Sequence, residues 1–165
     1  MSKKFTNTDP YDANVDQMWA MLSDQDYWTA KYESMGASNV TFTQFNAGED
    51  ALTVVNERDV PADLPSFAKK IVGETNHVTH TERWTRAGDH ATCSIEIKVK
   101  NVPGGTTGTM DITPSGSGTS WAANFDIKFS VPLIGGKLEG VFKDETASNF
   151  KQEKAFNDQW LADNA

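Results

Sequence analysis

Two ionisable residues that could do proton chemistry sit on one strand-like run. His77 to Arg86 reads as a β-strand, in which residues two apart share a face. His80 and Glu82 therefore stand together, with Val78 and Trp84, while His77 turns to the other side. An imidazole beside a carboxylate suits general acid–base work or the orientation of a bound group. The ordinary alternative is a histidine at a rim beside a surface carboxylate. A third candidate is Glu145, one helical turn from Asn149 and set between Phe142 and Phe156. These two polar residues interrupt an otherwise apolar stripe. A buried carboxylate without a partner is costly, so either water or a ligand reaches that stripe, or the helix turns the pair outward. Glu145 and Asn149 are expected to line a solvent-accessible pocket. The candidate catalytic residues are thus His80, Glu82 and Glu145.

Other chemistries find less support. His77 and His80 face opposite ways, His90 lies in a turn, and Cys93 is the only cysteine. No third metal ligand can be placed, so neither a metal nor a cofactor is expected. One thiol forms no internal disulfide or cysteine-based zinc cluster, and its apolar neighbours make Cys93 a small buried filler. No nucleophile elbow is visible. Residues 103–109 are glycine-rich but lack the Lys-Ser/Thr of a phosphate loop; Pro103-Gly104-Gly105 reads as a hairpin turn. Fifteen Lys plus Arg against twenty-three Asp plus Glu give a net charge of −8. Such a surface disfavours phosphate backbones and anionic membranes, so neither nucleic acid nor stable membrane association is expected. No stretch approaches the ~18 apolar residues of a membrane span, and Met1–Phe5 leads into polar residues rather than a signal-type apolar run. The expected location is cytoplasmic.

Positioning these residues requires a scaffold that the periodicity outlines. The 165 residues fit one domain, 1–165. Only thirty-two are Leu, Ile, Val or Phe, a scarcity that resembles disorder, but five Trp and the strand patterns argue for a folded chain. A first strand spans residues 5–11. Asn14 and Gln17 have capping-box spacing for a short helix carrying Met18, Trp19, Met21 and Leu22. A second short helix runs from Asp26 to Met35, with Gly36 as its stop. Val40–Phe45 and Leu52–Val55 form a hairpin. Asp63-Leu64-Pro65-Ser66 opens a third short helix with Leu64, Phe67 and Ile71 as its stripe.

The antiparallel meander that follows is the clearest segment. Ala91, Cys93, Ile95, Ile97 and Val99 alternate with polar residues. Gly108, Met110 and Ile112 do the same, as do Trp121, Phe125, Ile127, Phe129 and Val131. Pro132 stops the last strand, and from Lys137 to about Ala162 a helix of roughly 39 Å is expected. Its apolar face carries Leu138, Phe142, Glu145, Asn149, Phe156 and Trp160, with Phe150 on the flank. A one-sided sheet must cover its apolar face, and this helix is the cover. The fold class is α+β: a curved antiparallel sheet wrapped around a long C-terminal helix, with two short N-terminal helices.

The chain resembles the START-like (SRPBCC, helix-grip) superfamily. The resemblance rests on Asp12–Leu22 with Asp24 and Asp26-Tyr27-Trp28, on Glu82-Arg83-Trp84, and on Val131–Glu139, which is similar to a branch known mainly as a domain of unknown function. It implies a fold and a ligand class, small hydrophobic or amphipathic molecules such as lipids or polyketides, but no catalytic signature. The expected function is binding or transport of such a molecule between sheet and helix. Trp84, Ile95, Ile97, Met110, Trp121 and Phe125, with Phe129, Phe142, Glu145 and Asn149, are the expected lining. Residues 61–73 and the helices near Trp28 are the expected mouth. Two competitors are a cyclase or dehydratase-like enzyme, and a protein-interaction or stress-response adaptor that holds no small ligand.

Overall fold

The computed structural model describes residues 2–61 and 64–165. Among these, seven strands form one antiparallel sheet in the order β1-β7-β6-β5-β4-β3-β2. They are β1 (Lys3–Tyr11), β2 (Ser38–Ala47), β3 (Ala51–Pro61), β4 (Thr75–Ala87), β5 (His90–Val99), β6 (Gly104–Ser115) and β7 (Gly118–Phe129). Helices α1 (Val15–Leu22) and α2 (Gln25–Ser34) connect β1 to β2, α3 (Ser66–Val72) connects β3 to β4, and α4 (Gly135–Asp163) follows β7. This is the curved sheet gripping a C-terminal helix that the periodicity predicts.

Local chemistry explains most element boundaries. The Asn14 side chain accepts from the Gln17 N–H and the Gln17 side chain from the Asn14 N–H, both at 2.9 Å, closing a reciprocal cap on α1. Asp24 caps α2, accepting from the Asp26 N–H at 3.0 Å. Gly36, with φ 92°, lets the chain turn out of α2.

Some details differ from the sequence reading. The β5–β6 turn falls on residues 100–103, and Gly104 and Gly105 already belong to β6. Their glycine character answers close strand approach: a Cβ on Gly104 would meet the Lys128 carbonyl oxygen at 2.1 Å, and one on Gly105 the Ile97 carbonyl oxygen at 2.4 Å. β7 ends at Phe129, because the Val131 carbonyl accepts from the Gly135 N–H at 2.9 Å and draws the chain into α4. A register shift between Phe42 and Gln44 in β2 brings the Phe45 ring within 5.8 Å of Phe42, where strict alternation separates them. Asp63 lies outside the described residues. In α3, Ala68 is fully buried while Phe67 and Ile71 are only partly so.

The core lies between the inner sheet face and the helices. Along β4–β7 the inward positions are buried and the outward ones carry Thr, Lys, Asp and Glu. α4 packs on β7 and β1 and touches α1 and α2. Its inward stripe is rotated from the expected one. Phe150, expected on the flank, packs against Phe5 at 5.5 Å and Phe125 at 5.7 Å between ring centroids. The fully enclosed residues of α4 include two polar ones, each with a partner: Glu139 accepts from the Phe129 N–H at 3.0 Å, and Asn157 accepts from the Tyr27 hydroxyl at 2.6 Å and donates to the Tyr11 hydroxyl at 3.1 Å. These bonds tie α4 to β7, α2 and β1.

Candidate functional site

Between the sheet and α4 lies a small interior cavity of about 70 Å³. Its apolar wall comes from inward positions of three adjacent strands: Ile95 and Ile97 of β5, Met110 of β6, and Trp121 and Phe125 of β7. Thr146, Asn149, Phe150 and Glu153 of α4 form the facing wall. Lys31 and Tyr32 of α2 and Met35 just beyond its end, with Arg58 of β3, close one side, where Met35 and Arg58 remain partly exposed. His80 and Glu82 of β4 complete the lining.

The polar residues form a connected network rather than isolated charges. The His80 Nε2 and a Glu82 carboxylate oxygen are 2.7 Å apart, and the other Glu82 oxygen accepts from Trp84 Nε1 at 2.9 Å. Arg58 Nη1 lies 3.2 Å from His80 Nδ1 and donates to the Asn56 side-chain oxygen at 2.8 Å. A guanidinium only donates, so Nδ1 is the acceptor nitrogen and Nε2 carries the proton given to Glu82. The arrangement fixes one neutral tautomer of His80. Burial also lowers the His80 pKa, and the Arg58 charge works in the same direction, against the pull of Glu82. Burial opposes ionisation of Glu82, but the hydrogen bond from His80, the charge of Lys31 and the Trp84 N–H outweigh it, so its pKa falls. The stable state is an ionised Glu82 beside a neutral His80.

Lys31 has a side chain only 2 % exposed yet stays charged. Burial alone would favour its neutral form. The Glu153 carboxylate at 2.9 Å reverses this, and the ammonium also lies 4.3 Å from the Trp28 ring centroid and 5.0 Å from those of Tyr27 and Tyr32. Arg58 stacks over the Tyr32 ring at 3.8 Å.

The structure sorts the sequence candidates. His80 and Glu82 are buried together, 7 % and 4 % exposed, rather than at a rim. Ile95, Ile97, Met110, Trp121, Phe125 and Asn149 all face the cavity. Trp84 is buried behind this wall, its ring edge-on to Trp121 at 5.5 Å, and reaches the site through Glu82. Phe129 and Phe142 pack on each other at 4.8 Å away from the lining, and the partly buried Glu145 is not among the lining residues. No described residue of α3 reaches the cavity either. Cys93 is buried next to Glu82, and burial pushes its thiol pKa up. Among the described residues no three His, Cys, Asp or Glu side chains converge as a metal site would require.

Lys31, Arg58, Tyr32 and Glu153 escaped the sequence reading. A signal for Arg58 was present, since Leu52, Val54, Asn56 and Arg58 continue one strand face in steps of two. Lys31 sits four residues after Tyr27, and Glu153 four after Asn149, both helical spacings.

A larger groove of about 760 Å³ opens at the end of the sheet near the β5–β6 turn, lined in part by Lys4, Glu96, Lys98, Asp126 and Lys128. Its side chains are mostly solvated, and no buried polar network converges on it.

A sheet closed by a long C-terminal helix around an aromatic-lined interior is the START-like, helix-grip fold. A START superfamily protein from Mycobacterium smegmatis superposes with a TM-score of 0.58 at 10% identity, covering 98% of this chain and 99% of that one. The Zhui aromatase/cyclase from Streptomyces sp. R1128 superposes with a TM-score of 0.62 at 14% identity, covering 98% and 94%. Within that class, the chain belongs to the family described as "Protein of unknown function (DUF2505)", whose model matches residues 6–161. It is 23% identical to the uncharacterized protein Rv0481c of Mycobacterium tuberculosis, over 99% of both chains. Among the described residues no helix is long and apolar enough to cross a membrane.

Proposed function

We propose that the protein binds a small amphipathic molecule in the cavity between the sheet and α4. The observation that carries this reading is the convergence of four buried or half-buried charged residues and one neutral histidine on the same aromatic-lined interior. Burying such groups is costly, and an apolar core of similar shape would hold the fold at lower cost. Ligand sites combine an apolar wall with a few convergent polar groups. Here Ile95, Met110, Trp121 and Phe125 supply the wall, and Arg58, His80 and Lys31 supply the polar end. The present volume of about 70 Å³ is well below the ~300 Å³ or more of a typical ligand pocket. A ligand therefore enters by displacing Met35 and facing side chains of α4 at the half-buried side beside Arg58. Affinity then comes mainly from apolar burial, at ~25 cal/mol per Å² before association costs. Native mass spectrometry of the purified protein, followed by solvent extraction, tests this directly. The expected result is a co-purifying or exchangeable small molecule at one per chain. A protein that carries none and takes up no amphipath from a mixed library would contradict it.

A second reading, a cyclase-like enzyme, draws on one feature. Glu82 holds the His80 Nε2–H, so the basic Nδ1 is directed to Arg58 at the cavity edge. A carboxylate that orients an imidazole in this way can serve a general base once a substrate displaces the Arg58 donor from Nδ1. Turnover of a poly-β-ketone substrate by wild type, lost in H80Q, would favour it over binding alone.

A further inference from the structure

We infer that the amphipath is a carboxylate, and that Arg58 is the residue that holds its head group. This deepens the proposed binding function and rests on it. The cavity contains two cations and two carboxylates whose pairing is uneven. Lys31 is matched by Glu153 at 2.9 Å. Glu82 has both oxygens occupied, by His80 and by the Trp84 N–H. Arg58 differs from the other three. Among the described residues no carboxylate lies within ion-pairing distance of it, and its hydrogen bonds, to Asn56 and His80, both leave from Nη1. Among the described residues its Nε and Nη2 donors meet no hydrogen-bond acceptor, while its flat face is pinned on the Tyr32 ring at 3.8 Å. Asn56 is itself fully buried and sits 3.5 Å from the Tyr32 hydroxyl, so the guanidinium is held from two sides.

A guanidinium so fixed presents a planar fork of donors, which matches the two oxygens of a carboxylate better than a single carbonyl or hydroxyl oxygen. Because the fork is already oriented, little side-chain freedom is lost on binding. The apolar wall of Ile95, Met110 and Phe125 lies deeper, so the head group sits at the half-buried side and the tail runs inward between sheet and α4. The neighbouring acidic groups, Glu82 and Glu153, are each engaged by a donor and do not compete for Arg58.

The test uses matched probes that differ only in the head group. Decanoate and methyl decanoate are titrated into wild type and into R58Q and R58K, with binding read by tryptophan fluorescence and calorimetry. The expected result is that wild type binds decanoate about tenfold or more tightly than the ester, the worth of a charge-assisted hydrogen bond. R58Q should bind both alike at the ester's affinity, and R58K should recover part of the preference. Equal affinity of acid and ester for wild type would overturn the carboxylate inference and leave the binding function standing. An acid preference that survives in R58Q would overturn the assignment of the head group to Arg58. Binding of neither probe, to a wild type that is folded by circular dichroism, would overturn both. The wild-type comparison decides even if R58Q does not fold.

Discussion

At the residue scale, the buried Glu82 is the pivot. It receives hydrogen bonds from His80 and Trp84, and its removal orphans both donors. E82L should cost about 3 kcal/mol, the usual penalty for breaking a buried charged network, measured as a fall in the urea midpoint. The two strand histidines should respond to pH in opposite directions. His80 has a folded pKa below its ordinary 6.5, so its contribution to stability is present above that value and is lost as pH falls through it. In an NMR titration the imidazole should keep its neutral tautomer, protonated at Nε2, to lower pH than an ordinary histidine; a ring that becomes doubly protonated at or above the ordinary pH would contradict the network. His77 lies on the outer face, 2.7 Å from Asp59 and 3.1 Å from Glu57, and these hydrogen bonds raise its pKa. Its contribution is complete below 6.5 and disappears as pH rises through the raised value. H77Q should therefore lower the urea midpoint more at pH 6 than at pH 9.

At the element scale, α4 is the part of the grip that a ligand must work against. Asn157 anchors it to α2 and β1 through Tyr27 and Tyr11. N157L leaves two buried hydroxyls without that partner and should cost about 2 kcal/mol or more, seen as a lower thermal midpoint. The strands were legible in the sequence because one face is wet and the other apolar, so the period of two is sharp in β5 and β7. The face of α4 was less so. Leu138 and Phe142 suggest one stripe, but the helix settles where Phe150 packs against Phe5 and Phe125, and Glu145 moves off the lining while Asn149 stays. Long-range aromatic packing made that choice, and helical spacing alone does not contain it. The glycine pair at 104–105 misled for a related reason: it relieves contact with the neighbouring strands β7 and β5, which only the pairing register reveals.

At the scale of the whole molecule, the scarcity of aliphatics reads as a thin aromatic core around a polar centre. His80 and Glu82 could be paired from the sequence because they share a strand. Arg58 and Lys31 come from β3 and α2 and meet them only after folding, so the charged network was half visible. It also separates two candidate places for a ligand: the small interior cavity, rich in converging donors, and the larger but solvated groove near Lys98 and Lys128. Amide NMR during titration with decanoate distinguishes them most directly. Binding inside should give saturable shifts centred on Tyr32–Met35, Arg58, His80–Glu82 and Thr146–Glu153, with Lys98, Lys128 and their neighbours little changed. Shifts concentrated instead along Lys4, Lys98 and Lys128, or none that saturate, would contradict an interior amphipath site.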